Sequence, residues 1–170
     1  MGALDKWAQA AEELHRVVGE VTLLITEIED GLDEIILDQL VMAPAHSFFK
    51  RRVLGRQLVS AKVDLLIAYA SEFATALAAP DKAREHLLEI RDATEQRNRL
   101  VHDLHEVDIA NGRVSRRRLW EEDGQPIDLQ SYRDLAERLT MLSGEGIEGI
   151  ADGLLVHVPD AGPRDGGPAC

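Results

Sequence analysis

Aromatic residues and cysteine are scarce in this sequence. Phe, Trp and Tyr make up 4% of its 170 residues. Sandwiches and barrels draw on aromatic and β-branched residues at short intervals, so this scarcity argues against them. Cys170 is the only cysteine. The chain can therefore form no internal disulfide, which suits a reducing cytosol, and a cytoplasmic location is expected. No apolar run approaches the roughly 18 residues that a membrane span needs, so no membrane association is expected. Residues 1–25 carry acids and amphipathic spacing rather than the basic and apolar stretches of a signal peptide. Positive charge is also in short supply: Lys and Arg total 19 against 31 Asp and Glu, a formal net charge of −12. Affinity for nucleic acid comes mostly from phosphate neutralisation, so any such role must rest on local basic clusters.

What is present reads as helix. Leu4, Trp7, Ala11, Leu14, Val18, Val21, Ile25, Ile28, Leu32 and Ile35 recur at steps of three and four, the seam of one long bundle helix over 4–40 or of two nearly collinear ones with a kink or boundary at Gly31. Its other face is acidic, with ten acids against two bases in the first 40 residues. Pro44 marks a break. Ser47 is the expected N-cap of a second helix over about 47–79, with Phe48, Leu54, Leu58, Ala61, Leu65, Ala68 and Leu77 as its apolar set. Pro80-Asp81 opens a third helix near 81–104. The period then changes to two around Asn111-Gly112, a hairpin signal because a type I′ turn needs positive φ at both positions. Asp128 is placed to cap a last helix carrying Leu129, Tyr132, Leu135, Leu139 and Leu142. Four glycines between 144 and 153 weaken its second half. The expected fold is an all-α, up-and-down bundle of four to five helices with a short β-hairpin insert near 106–118. One domain over 1–157 is expected, followed by a disordered Gly/Pro-rich tail over 158–170.

The most informative segment is 91–105. Core spacing there runs Leu87, Ile90, Thr94, Arg97, Val101, Leu104, so Arg97 stands where the pattern asks for an apolar residue. A buried guanidinium is costly unless paired. Arg91, Glu95, Asn98, His102 and His105 form a polar stripe beside it. Asn98 and His102 share one face, whereas Arg97 and His102 lie about 140° apart on an ideal helix. On spacing alone a bland reading competes. Arg97 snorkels to solvent, and His102 closes a helix C-terminus where positive charge is favoured.

Arg97-Asn98-Arg99-Leu100-Val101-His102 resembles the Arg-x4-6-His motif of HEPN domains, including the polar residue directly after the Arg. The motif's position at the end of the third helix, before a hairpin and a last helix, also resembles that family. The specific part of the likeness is six residues within an element pattern covering about 10–155. The resemblance implies a metal-independent ribonuclease of toxin or defence type, working as a homodimer with the Arg and His of both subunits in one cleft. It implies that His102 acts as general base or acid on the ribose 2′-OH. Arg97 would stabilise the pentacoordinate phosphate, and Asn98 would orient His102 or the phosphate. These residue types suit the chemistry, since an imidazole exchanges protons near neutrality and a guanidinium matches phosphate geometry. The resemblance also implies a nucleotidyltransferase-like antitoxin as a partner, with no metal and no cofactor. Other members of the family are non-catalytic binding modules, and that alternative stays open.

Two basic clusters bear on RNA. Lys50, Arg51, Arg52, Arg56 and Lys62 include no acid among them, and residues 97–118 hold six bases against three acids. Arg51, Arg52, Arg99, Arg116, Arg117 and Arg118 are the candidate RNA contacts. The rival reading pairs the basic clusters with the acidic first helix. Gly144-Glu145-Gly146-Ile147-Glu148-Gly149 spells a dinucleotide fingerprint, but it follows a helix and carries two carboxylates that repel phosphate. Glu12-x-x-His15 and His102-x-x-His105 hold too few ligands for a metal.

Overall fold

A computed structural model describes residues 2–102, 104–108, 113–117, 125–126 and 128–156. The expected tail, Arg118 and the Asn111-Gly112 pair lie outside the described residues.

The protein is an all-α helical bundle arranged on one long rod. Helix α1 spans Ala3–Leu40, 38 residues, a length of about 57 Å at the α-helical rise. It buries Leu14, Val17, Val21, Ile25, Ile28, Leu32 and Ile36, which confirms the expected seam over its last two thirds. In its first turns Leu4 and Trp7 are exposed. Val41 takes an extended conformation and ends the helix just before Pro44.

The second expected helix is broken in two. Helix α2 covers His46–Arg52, a 3-10 turn covers Leu54–Arg56, and α3 covers Val59–Glu72. Ser47 sits inside α2 and caps nothing; Ala45 precedes the helix without a side-chain cap. Lys50, Arg51, Arg52 and Arg56 repel one another and have no acid nearby in sequence, and Gly55 is a poor helix former. The break resets the helical phase. The buried stripe of α3 is therefore Val59, Lys62, Val63, Leu66 and Ala70, while Phe48, Leu58 and Leu65 are exposed. Past Glu72 the chain does not stay helical to 79. Leu77 forms a bridge with Val156, and the amides of Ala78 and Ala79 donate to Leu155 O and Gly153 O.

Helix α4 covers Pro80–His102. A hairpin follows, with β1 Leu104–Val107 antiparallel to β2 Val114–Arg117, and a short β3 at Gln125–Pro126 adds to β2. The third strand has no counterpart in the sequence expectations. Val107 pairs with Val114, and Asp108 N–H donates to Arg113 O. A two-residue Asn-Gly loop would pair Val107 with Arg116 instead, two positions away. A shift of two keeps every side chain on its own face, so the apolar pattern cannot separate the two registers.

Helix α5 covers Leu129–Met141, with the Asp128 carboxylate accepting from Gln130 N–H at 2.9 Å, as expected of its N-cap. A π turn over Leu142–Gly146 leads into α6, Ile147–Gly153. The glycines that weaken this stretch as helix let it pack closely. A Cβ at Gly149 would lie 2.9 Å from the His86 ring, and one at Gly153 would lie 2.7 Å from Ala79 O. The apparent dinucleotide fingerprint is thus partly a helix-packing face. The core is one cluster to which every α helix except α2 contributes fully buried side chains.

Candidate functional site

Helix α4 carries the site. Its buried face runs Ala83, Leu87, Ile90, Ala93, Thr94 and Leu100. Leu100 takes the inward position that the spacing assigned to Val101, which is 36% exposed. Arg97 sits between Thr94 and Leu100 and is half-buried. Its Nη1 donates to Asn98 Oδ1 at 3.1 Å. Its Nε is shut off from solvent and has no acceptor among the described residues. A pocket of about 210 Å³ opens in front of Arg97 and Asn98. Helix α1 supplies Thr26 and Glu29 to its wall, and the start of α3 supplies Gln57 and Ser60. Ile25, Leu58 and Val59 provide the apolar surface.

The other candidates stand apart. His102 is the last residue of α4, exposed, and is not part of this pocket. Within one chain, Arg97 and Asn98 come together and His102 does not join them. Arg99 is exposed on the same helix. Arg51 and Arg52 are exposed on α2. The Nε of Arg51 donates to Ser47 O at 3.1 Å, and neither residue forms an ion pair among the described residues. Arg116 and Arg117 lie on β2 opposite His105 and Leu104. Arg118 is outside the described residues. His105 belongs to β1 and meets the Tyr132 hydroxyl at 3.4 Å, edge-on to its ring. Among the described residues no three His, Cys, Asp or Glu side chains converge as metal ligands.

The basic cluster at 50–62 divides. Lys50 Nζ donates to Glu34 Oε1 at 2.6 Å, and this hydrogen bond raises the Lys50 pKa above the ordinary lysine value. Lys62 is 1% exposed, with its ammonium 2.6 Å from Asp33 Oδ1 and 2.8 Å from Glu29 Oε1. These two lysines serve the acidic first helix, as the rival reading required. Arg51, Arg52 and Arg56 stay exposed.

Sequence reasoning missed Lys62 as a structural charge and Glu29, Gln57 and Ser60 as pocket residues. Lys62 carried the same signal as Arg97, a cation at apolar spacing, hidden by the wrong phase assigned to its helix. The pocket residues carried none: a polar residue on an amphipathic face looks alike whether it meets water or a cleft.

Compared with protein-family models, curated proteins and solved structures, the chain matches none. The likeness to HEPN domains therefore rests on the six-residue motif and the order of elements.

Proposed function

We propose that this chain is a HEPN-like, metal-independent endoribonuclease that acts as a homodimer. The observation that carries the reading is the condition of Arg97. An arginine half-buried for structure alone is normally paired with a carboxylate. Among the described residues this one donates only to the neutral Asn98 and its Nε has no acceptor, while the acid lining its pocket, Glu29, is held by Lys62; the pocket is open enough to admit a ligand. A guanidinium in that condition is suited to an anion, and its fork matches phosphate oxygens.

In this reading His102 takes the proton of a ribose 2′-OH as that oxygen attacks the neighbouring phosphorus. The P–O5′ bond breaks to leave a 2′,3′-cyclic phosphate, and the leaving 5′ oxygen takes a proton from the second copy's His102 acting as general acid. Arg97 balances charge on the pentacoordinate phosphate, and Asn98 holds the guanidinium. Because Arg97 and His102 diverge on α4, a second copy brings the complementary residue into the cleft. Arg51, Arg52, Arg99 and the arginines of β2 guide RNA towards it, against the repulsion of an acidic chain. Residues 1–157 form the working domain, the setting is the cytoplasm, and a nucleotidyltransferase-like antitoxin is the expected partner.

The test is RNA cleavage in the presence of a chelator by purified wild type and His102→Ala. Wild type should cleave and the variant should not; equal degradation by both sinks the role given to His102. A strict monomer by light scattering at micromolar concentration overturns the composite cleft.

One observation favours a second reading, a non-catalytic interaction module of the same fold. Lys50 and Lys62 are committed to α1, and His102 does not line the pocket of Arg97. Wild-type protein that binds RNA or a protein partner without cleaving RNA supports that module.

A further inference from the structure

The pocket beside Arg97 is lined by donors from one helix and an acceptor from another. Helix α4 contributes donors from Arg97, and α1 contributes the acceptor carboxylate of Glu29. Glu29 Oε1 is tethered by buried Lys62 at 2.8 Å, which fixes the carboxylate against α3 and leaves Oε2 without a described partner. Gln57 and Asn98 add amides that donate or accept. Ile25 and Leu58 supply apolar surface, Leu58 largely exposed as a flap-like edge. At about 210 Å³ the space is below the range of drug-sized ligand sites and suits one planar fragment.

We infer that this pocket binds a single guanine base. Guanine presents two acceptors, O6 and N7, on one edge, the pair that arginine reads bidentately. Its neighbouring edge presents two donors, N1–H and the exocyclic amine, which a carboxylate accepts together. Adenine turns an N–H₂ donor towards Arg97 in place of O6. Uracil flanks its one N–H with carbonyls that repel Glu29. Cytosine offers a single amine donor and fills less of the space. Guanine alone uses both walls in full. The inference deepens the ribonuclease reading and rests on it for one source of the base, a guanosine next to the cleaved phosphate, with one copy's Arg97 on the base edge and the second copy's Arg97 left to serve the phosphate. A free guanine nucleotide is the other source.

The experiment is isothermal titration of the full chain with the monophosphates of guanosine, inosine, adenosine, cytidine and uridine, alongside mapping of cleavage sites on RNA. Guanosine monophosphate should bind saturably, about tenfold or more tighter than the adenosine, cytidine and uridine monophosphates. The inosine nucleotide, which lacks the exocyclic amine, should fall between. This ligand series needs no variant and so cannot be confounded by misfolding. Glu29→Gln should erase the guanine preference, and His102→Ala should keep it. Equal affinity for all five nucleotides, or no saturable binding below millimolar concentration, overturns the inference. Guanine binding without RNA cleavage keeps the pocket assignment and removes the ribonuclease reading. RNA cleavage without guanine preference removes the pocket assignment alone.

Discussion

Lys62 shows how much one side chain can decide. Its ammonium is buried between α1 and α3, 2.6 Å from Asp33, whose side chain is 6% exposed. Removing the cation leaves that carboxylate buried and unpaired. Lys62→Ala should therefore lower stability by about 3 kcal/mol or more in chemical denaturation. Replacing both partners, Lys62→Met with Asp33→Leu, should return the protein to within about 1 kcal/mol of wild type, because the desolvation cost disappears with the pair. Asp92 sets the opposite scale. A hydrogen bond from Arg138 at 2.7 Å holds its carboxyl below the ordinary aspartate value. A depressed folded-state pKa stabilises above the unfolded value of about 3.9, and that contribution is lost as pH falls through the folded one. The Asp92 side chain is 56% exposed, so water screens the pair. Asp92→Asn should cost about 0.5 kcal/mol at pH 7, and the gap to wild type should close below about pH 4. At this scale the sequence was partly legible. Arg97 stood out because it broke an apolar stripe, and the structure finds it half-buried with an unsatisfied nitrogen. The Lys62 clamp stayed hidden because its acids lie about thirty residues away on another helix.

Among the elements, long periodic helices were read well and their interruptions poorly. Helix α1 and the Asp128 cap follow from spacing and local hydrogen bonding. The break at 53–58 and the bridge from Leu77 to Val156 depend on tertiary contacts that local periodicity does not encode. The glycines of α6 are the clearest case, since only the neighbour across the interface tells a packing glycine from a weak helix. Gly153→Ala would push a methyl against Ala79 O and the Ala83 side chain, and should cost about 2 kcal/mol through forced separation of α4 and α6. Gly19→Ala meets nothing within 4 Å on α1 and should gain about 0.5–1 kcal/mol from helix propensity. Thermal unfolding of the two variants side by side measures both, and a similar change in each would contradict the close packing of α6.

Across the whole molecule, charge is sorted rather than spread. The acids of α1 hold three of the basic side chains that follow it, Lys50, Lys62 and Arg133, whereas the arginines of α2 and Arg99 near the end of α4 stay exposed. The net charge of −12 thus describes the first helix more than the region around Arg97. The same first helix also orders the assembly in time. Arg133 of α5 closes on Glu13 across 120 residues, and α5 is a principal neighbour of α1. During synthesis α1 is therefore complete well before α5, a helix that packs along it, has been made. Val17 and Val21, shut away completely in the finished protein, belong to a stripe that must wait for most of the polypeptide. An unfinished chain exposes an apolar stripe that can meet the same stripe of another copy, and the acids on the rest of α1 oppose that meeting by like-charge repulsion.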